Sequence, residues 1–188
     1  MGWIKSLARI VGAGIPFGGV AVQISAELES AEFQRRLQRI EDPISELHPD
    51  VRTVSQLIYQ RLQATNNAKI ELTEAEQTQY ARPLAVLEAK GLIDGTHVIG
   101  SPLVLHFWLN DATYVLYMAA LLEKADLMDR LVERVDQWPR GTWLNGLILA
   151  EELKLPVRTV KAVLELCVAR GFGLMSREPG TVNYLARA

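Results

Sequence analysis

The side chains with chemical potential in this chain are few and scattered. The three histidines, His48, His97 and His106, have no second ligand at metal-binding spacing. His106 alternates with apolar residues in "LVLHFWL" (103–109) and reads as a core or rim histidine, while His48 falls in a proline-containing connection. Cys167, the only cysteine, lies among Val163, Leu164 and Leu166, where a free thiol behaves as a small hydrophobe. No internal disulfide can form, which fits a reducing, cytoplasmic compartment. No Ser or Cys nucleophile has a base beside it in sequence, although triads assemble in space and not by order. "GAGIPFGG" (12–19) lacks the Lys-Ser/Thr of a phosphate loop, follows an amphipathic helix instead of a strand and contains Pro16, so it reads as a glycine hinge. These residues give no enzyme, no metal site and no cofactor.

What remains is charge and its placement. The chain has 188 residues, 49 % hydrophobic and 22 % charged, with a net charge of −2. That length suits one domain or two small ones, and the composition excludes general disorder. The near-neutral balance excludes a protein that coats nucleic acid by bulk charge, but a confined basic patch acts through its local field. Residues 140–188 hold seven cations against four acids, and residues 51–139 eight against eleven. The basic field therefore lies at the C-terminal end.

The elements follow from periodicity. Trp3, Leu7 and Ile10 recur at helical spacing, so residues 3–12 read as a short amphipathic helix. A second helix is expected from about residue 20 to 40, and "EDPISELHPD" (41–50) is the best linker in the chain. Val54, Leu57, Ile58 and Leu62 predict a helix that "NN" at 66–67 ends. Thr73 with Glu76 three residues on is a capping box, opening a helix, or two short ones kinked at Arg82-Pro83, that Gly91 stops. Asp94-Gly95 reads as a hairpin turn and residues 103–109 as a buried strand. Asn110-Asp111 caps one long helix running to about residue 135. "LEAKGLI" (87–93) sets beside "CVARGFG" (167–173), a short match that points to duplicated architecture.

The most informative stretch is "AEELKLPVRTVKAVLELCVARGFG" (150–173). Leu144, Leu147, Ile148, Ala150 and Leu153 are expected on the core face of one helix, with "KLP" as the turn and Pro156 at the next helix's first position. Val157, Val160, Val163, Leu164 and Cys167 supply the core face of that next helix, which Gly171 terminates. Arg158, Thr159, Lys161, Ala162 and Glu165 are left for its outer face, and two β-prone runs follow around Glu178-Pro179-Gly180.

This order (helix, helix, turn, helix, β-hairpin) resembles the winged helix-turn-helix superfamily over residues 123–186, and residues 51–109 look like a second, more divergent copy. The resemblance implies a mainly α fold with small β-wings. It would comprise an N-terminal helical arm (1–42), a linker (43–50), a divergent winged-helix-like domain (51–110), a connecting helix (111–136) and a winged-helix domain (122–188). The connecting helix would lend its C-terminal half to the last domain. It further implies that residues 157–169 enter a major groove. Arg158 and Lys161 would then contact bases or phosphates, Thr159 a phosphate, and Arg177 the duplex from the wing. Ala162 and Glu165 depart from that pattern, leaving the face thin in donors.

The N-terminus carries a separate signal. The apolar run of residues 10–22 is short of the ~20 residues that span a bilayer and contains Pro16, so neither a signal peptide nor a transmembrane helix is expected. "MGWIKS" fits the myristoylation pattern, and residues 2–22 have the character of a membrane-surface peptide. Trp3, Leu7, Ile10 and Phe17 are the expected contacts, with a protein partner, a second copy or a membrane surface. Two functions follow. One is a non-enzymatic DNA-binding regulator or adaptor that oligomerises through its arm; the other is a protein-interaction or membrane-surface assembly module without nucleic-acid activity.

Overall fold

The computed structural model describes residues 50–101, 103–122 and 125–187. Trp3, Leu7, Ile10 and Phe17, the expected arm and nearly all of the linker lie outside the described residues. Helix α1 (Asp50–Thr65) begins where the linker was expected to end. It buries Val51, Val54, Ser55, Ile58, Tyr59 and Leu62, a three-and-four spacing that lines one helical face. Asn66 stops it in the left-handed region, φ 51°, which asparagine tolerates better than most residues.

Strand β1 (Lys69–Ile70) leads to α2 (Glu74–Gln79) and α3 (Ala81–Ala89). The capping box forms as expected. The Glu76 N–H donates to Thr73 Oγ1 at 3.2 Å, and the Thr73 N–H to Glu76 Oε2 at 2.8 Å. The break between the two helices falls at Tyr80, ahead of Pro83, which then sits in the first turn of α3 where its missing N–H costs nothing.

Strands β2 (Asp94–His97) and β3 (Val104–Trp108) complete an antiparallel sheet in the order β1-β3-β2. Asp94-Gly95 is therefore not the turn. Both residues pair within the sheet, opposite Trp108 and Phe107, and the reversal comes later, with Gly100 at φ 83°. Gly95 lies close to Glu88: a Cβ there would come 2.6 Å from Glu88 Oε1, the atom that accepts the Gly95 N–H, so a larger residue would ask that side chain to move.

The expected single connecting helix is two, α4 (Ala112–Leu121) and α5 (Ala125–Asp136). Asp111 caps the first, its Oδ1 accepting the Tyr114 N–H at 2.6 Å. Tyr114, Val115, Leu116, Tyr117, Met118 and Ala119 are all buried; a helix apolar on every side belongs in the interior. It packs against both α1 and α7.

Strand β4 (Trp143–Asn145) precedes α6 (Gly146–Leu153) and α7 (Val157–Ala169), and β5 (Gly173–Met175) and β6 (Asn183–Ala186) follow. The second sheet is antiparallel in the order β4-β6-β5. The core face expected for α6 is corrected in part. Leu144 is buried from β4, and Leu149 and Ala150 from the helix, whereas Leu147 and Ile148 are exposed. Asn145 caps α6 by accepting the Leu147 and Ile148 N–H groups. Pro156 sits one position earlier than expected, as the N-cap of α7.

The described chain thus repeats one order: helix, strand, helix, helix, strand, strand. It runs α1-β1-α2-α3-β2-β3 and then α5-β4-α6-α7-β5-β6, with the first strand, third strand and second strand in the same sheet order. The matched heptapeptides are the same stop in each half. Leu92 N–H reaches Leu87 O and Phe172 N–H reaches Cys167 O, both at 3.0 Å, around Gly91 and Gly171 in left-handed conformation. That is the glycine-terminated Schellman end, which asks for a positive φ.

Candidate functional site

Helix α7 is the element on which the expected contacts converge, and its first turn points inward. Arg158 is 7 % exposed. Its Nε donates to Leu109 O at 2.6 Å, Nη2 to Asn110 O at 2.7 Å, and Nη1 to Glu165 Oε2 at 2.8 Å. One planar guanidinium thus ties the end of the first sheet to a carboxylate two turns along its own helix, a use of the fork that lysine cannot copy. Thr159 is fully buried, and its hydroxyl lies 3.0 Å from Tyr59 Oη on α1. Desolvation pushes the Tyr59 phenol above its ordinary pKa, opposed by that hydrogen bond. The first N–H of the helix, Val157, is taken by Asn66 Oδ1 at 2.8 Å.

Arg158, Thr159 and Ala162 were expected on the outer face of α7, and all three are buried. The periodicity of the helix identifies its apolar side correctly, but α4 covers a second side. With its orphan N–H, its guanidinium and its threonine all engaged by residues 59–110, the N-terminal turn does not offer them to a groove. Lys161 does reach solvent, with 45 % of its side chain exposed and Nζ 3.8 Å from Glu165 Oε1. Arg177 is exposed in the β5–β6 hairpin, where Gly180 takes φ 77°. The four expected contacts are therefore divided: two in the junction, two on the surface.

Beside this junction lies an open groove of about 630 Å³, lined among others by Gln63, Asn66, Leu147, Lys154 and Val157. Its titratable lining residues are Glu151 and Lys154. Among the described residues no group of three or more His, Cys, Asp or Glu is placed to hold a metal. His106 is buried with Nε2 3.0 Å from Thr96 Oγ1 and its ring edge-on to Trp108. His97 pairs with Glu88 at 2.8 Å on the sheet surface. Burial raises the pKa of the Cys167 thiol to about 11, which keeps it protonated and unreactive near neutrality.

The outward side of the second sheet is a surface the sequence reading missed. Trp143 on β4 pairs with Leu185 on β6, which pairs with Leu174 on β5. Trp143 and Leu174 are 54 % and 44 % exposed, while Leu144 and Tyr184, one residue along, are 2 % exposed on the inner side. The two-residue alternation of a strand divides these sets. The signal was present in "TWLN" and "NYLA", but three- and four-residue strands are too short for periodicity to register.

No family model, curated protein or solved structure matches this chain. Among the described residues no helix is long and apolar enough to cross a membrane.

Proposed function

We propose that this chain is a non-enzymatic binding module built from two winged-helix units, an adaptor that makes its contacts through sheet faces and wings instead of a recognition helix in the major groove. The repeated helix-strand-helix-helix-strand-strand order, with a hairpin closing each half, supports the winged-helix reading. The fate of Arg158 carries the functional part: all three of its hydrogen bonds are internal. A helix reads base edges from its N-terminal residues, and here those residues join one half of the chain to the other. A groove-reading role would rest on Lys161, which shares Glu165 with Arg158, and on Arg177 alone.

Fluorescence anisotropy with random-sequence duplex DNA, at low and physiological salt, tests this on the full chain. The expected result is no duplex binding that depends on Lys161. Salt-steep binding that disappears in Lys161→Glu, with thermal stability unchanged, would overturn the reading and return α7 to the groove.

A further inference from the structure

The outward row of the second sheet is apolar, and exposed arginines stand in the segments that flank its strands. Across the sheet run Trp143, Leu185 and Leu174 in direct register. Just past the end of β6, two residues beyond Leu185, comes exposed Arg187, whose backbone N–H continues the β5–β6 ladder by donating to Phe172 O at 3.0 Å. At the opposite end, three residues beyond Leu174, exposed Arg177 projects from the hairpin. Arg140 is also exposed, three residues before Trp143, and sits close enough to Asp136 to influence its titration. Over residues 139–145 and 172–188 the chain has three arginines and one acid, Glu178.

The size of the apolar row helps choose the occupant. An aromatic side chain offers about 150–250 Å², so a half-exposed tryptophan with two partly exposed leucines presents roughly 250 Å². A stable protein interface uses about 800 Å² per partner. The row is small for that and large enough for one or two bases. A ligand with flat apolar rings and a regular line of negative charge satisfies the tryptophan and the arginines together.

We propose that this face binds single-stranded nucleic acid, with a base stacked on Trp143 and the flanking phosphates met by Arg177 and Arg187. Stacking on an exposed aromatic is tolerant of sequence because every base has a π-face, and the sheet supplies a rigid platform for it. Duplex DNA keeps its bases inside and cannot use Trp143 in this way. The proposal rests on the binding-module reading above and names its ligand.

The test titrates full-length protein into fluorescein-labelled oligothymidylate, random-sequence duplex and a labelled poly-glutamate peptide, each at several salt concentrations. Expected is salt-dependent oligothymidylate binding that exceeds duplex binding. Trp143→Leu should weaken it about 5- to 150-fold, the range for one lost stack, while Trp143→Phe retains most of it. Arg177→Gln with Arg187→Gln should lower the slope of log K against log salt by about 1.4, the value for two phosphates of a single strand. Because Trp143 is exposed, all these variants should melt with the parent, and melting curves verify it. No oligothymidylate binding at low salt, or binding equal in Trp143→Leu and the parent, overturns the proposal and leaves the module reading standing. So does poly-glutamate binding that is as tight and equally sensitive to Trp143→Leu, which would make the face a dock for acidic protein segments. Duplex binding that requires Lys161 would instead overturn the module reading itself.

Discussion

Truncating Arg158 should destabilise the fold, because the side chain is a junction and not a surface contact. In Arg158→Ala, Leu109 O and Asn110 O lose their donors and Glu165 loses its closest partner. Breaking a buried ion pair from one side costs about 3–5 kcal/mol. Two features lower that here: Asn110 is exposed, so water can reach its carbonyl, and the Glu165 side chain is 32 % exposed. About 2–4 kcal/mol is the reasoned cost, and at roughly 2–4 °C per kcal/mol for a chain of this size the melting temperature should fall by about 5–15 °C. Lys161→Ala is the matched control. Its pair with Glu165 spans 3.8 Å with both side chains partly exposed, a geometry worth at most about 0.5 kcal/mol. Arg158→Lys keeps the charge but loses the fork, and should fall between the two. Thermal and urea unfolding followed by circular dichroism would read all three. If Arg158→Ala melts with the parent and with Lys161→Ala, Arg158 does not hold the junction and the inference drawn from its burial fails.

Three further outcomes follow from neighbouring contacts. Tyr59→Phe or Thr159→Val alone should cost about 1 kcal/mol, since each leaves a buried hydroxyl without its partner; the double variant should cost clearly less than the sum, as a urea-unfolding cycle would register. Glu76 accepts the Thr73 N–H, the first of the causes that hold its carboxyl below the ordinary 4.5, with Arg61 adding to it. A lowered folded-state pKa stabilises above the unfolded value and is lost as pH falls through the folded one. The stability gap between the parent and Glu76→Gln should therefore be full at neutral pH and close progressively below about pH 5; a gap that widens on acidification would contradict this. Cys167, with its thiol raised to about 11, should react with iodoacetamide at pH 8 far more slowly in the native protein than in urea, and equal rates would show that the site is open.

The parts of the fold legible in the sequence are those governed by neighbours in the chain. The Thr73–Glu76 box, the Asp111 cap and the glycine stops at Gly91 and Gly171 each need only a few consecutive residues, and each forms where local chemistry placed it. Asp94-Gly95 failed as a turn because the same dipeptide is accommodated in a strand, where it pairs with Trp108 and Phe107. The long helix expected from residue 111 divided into α4 and α5 although its apolar period continues. Leu147 and Ile148 share the apolar character of Leu149 but not its burial, since nothing local says which side of a short helix meets the core.

The sequence by itself determined the glycine stops at Gly91 and Gly171, that the order of elements is repeated, and which residues of α7 form its primary apolar stripe. Only the tertiary structure decided what became of the opposite stripe. Arg158, Thr159 and Ala162 have the spacing of a solvent-facing or groove-facing surface, yet α1, α4 and the end of β3 close over them. Outward-facing Trp143 on β4 joins Leu174 and Leu185 of the β5–β6 hairpin, distant in the chain, in one row only when β4 pairs with β6. Periodicity reports one element's preference for a side; which neighbour covers the remaining sides depends on contacts made 49 to 100 residues away in the chain, such as Leu109 with Arg158 and Tyr59 with Thr159.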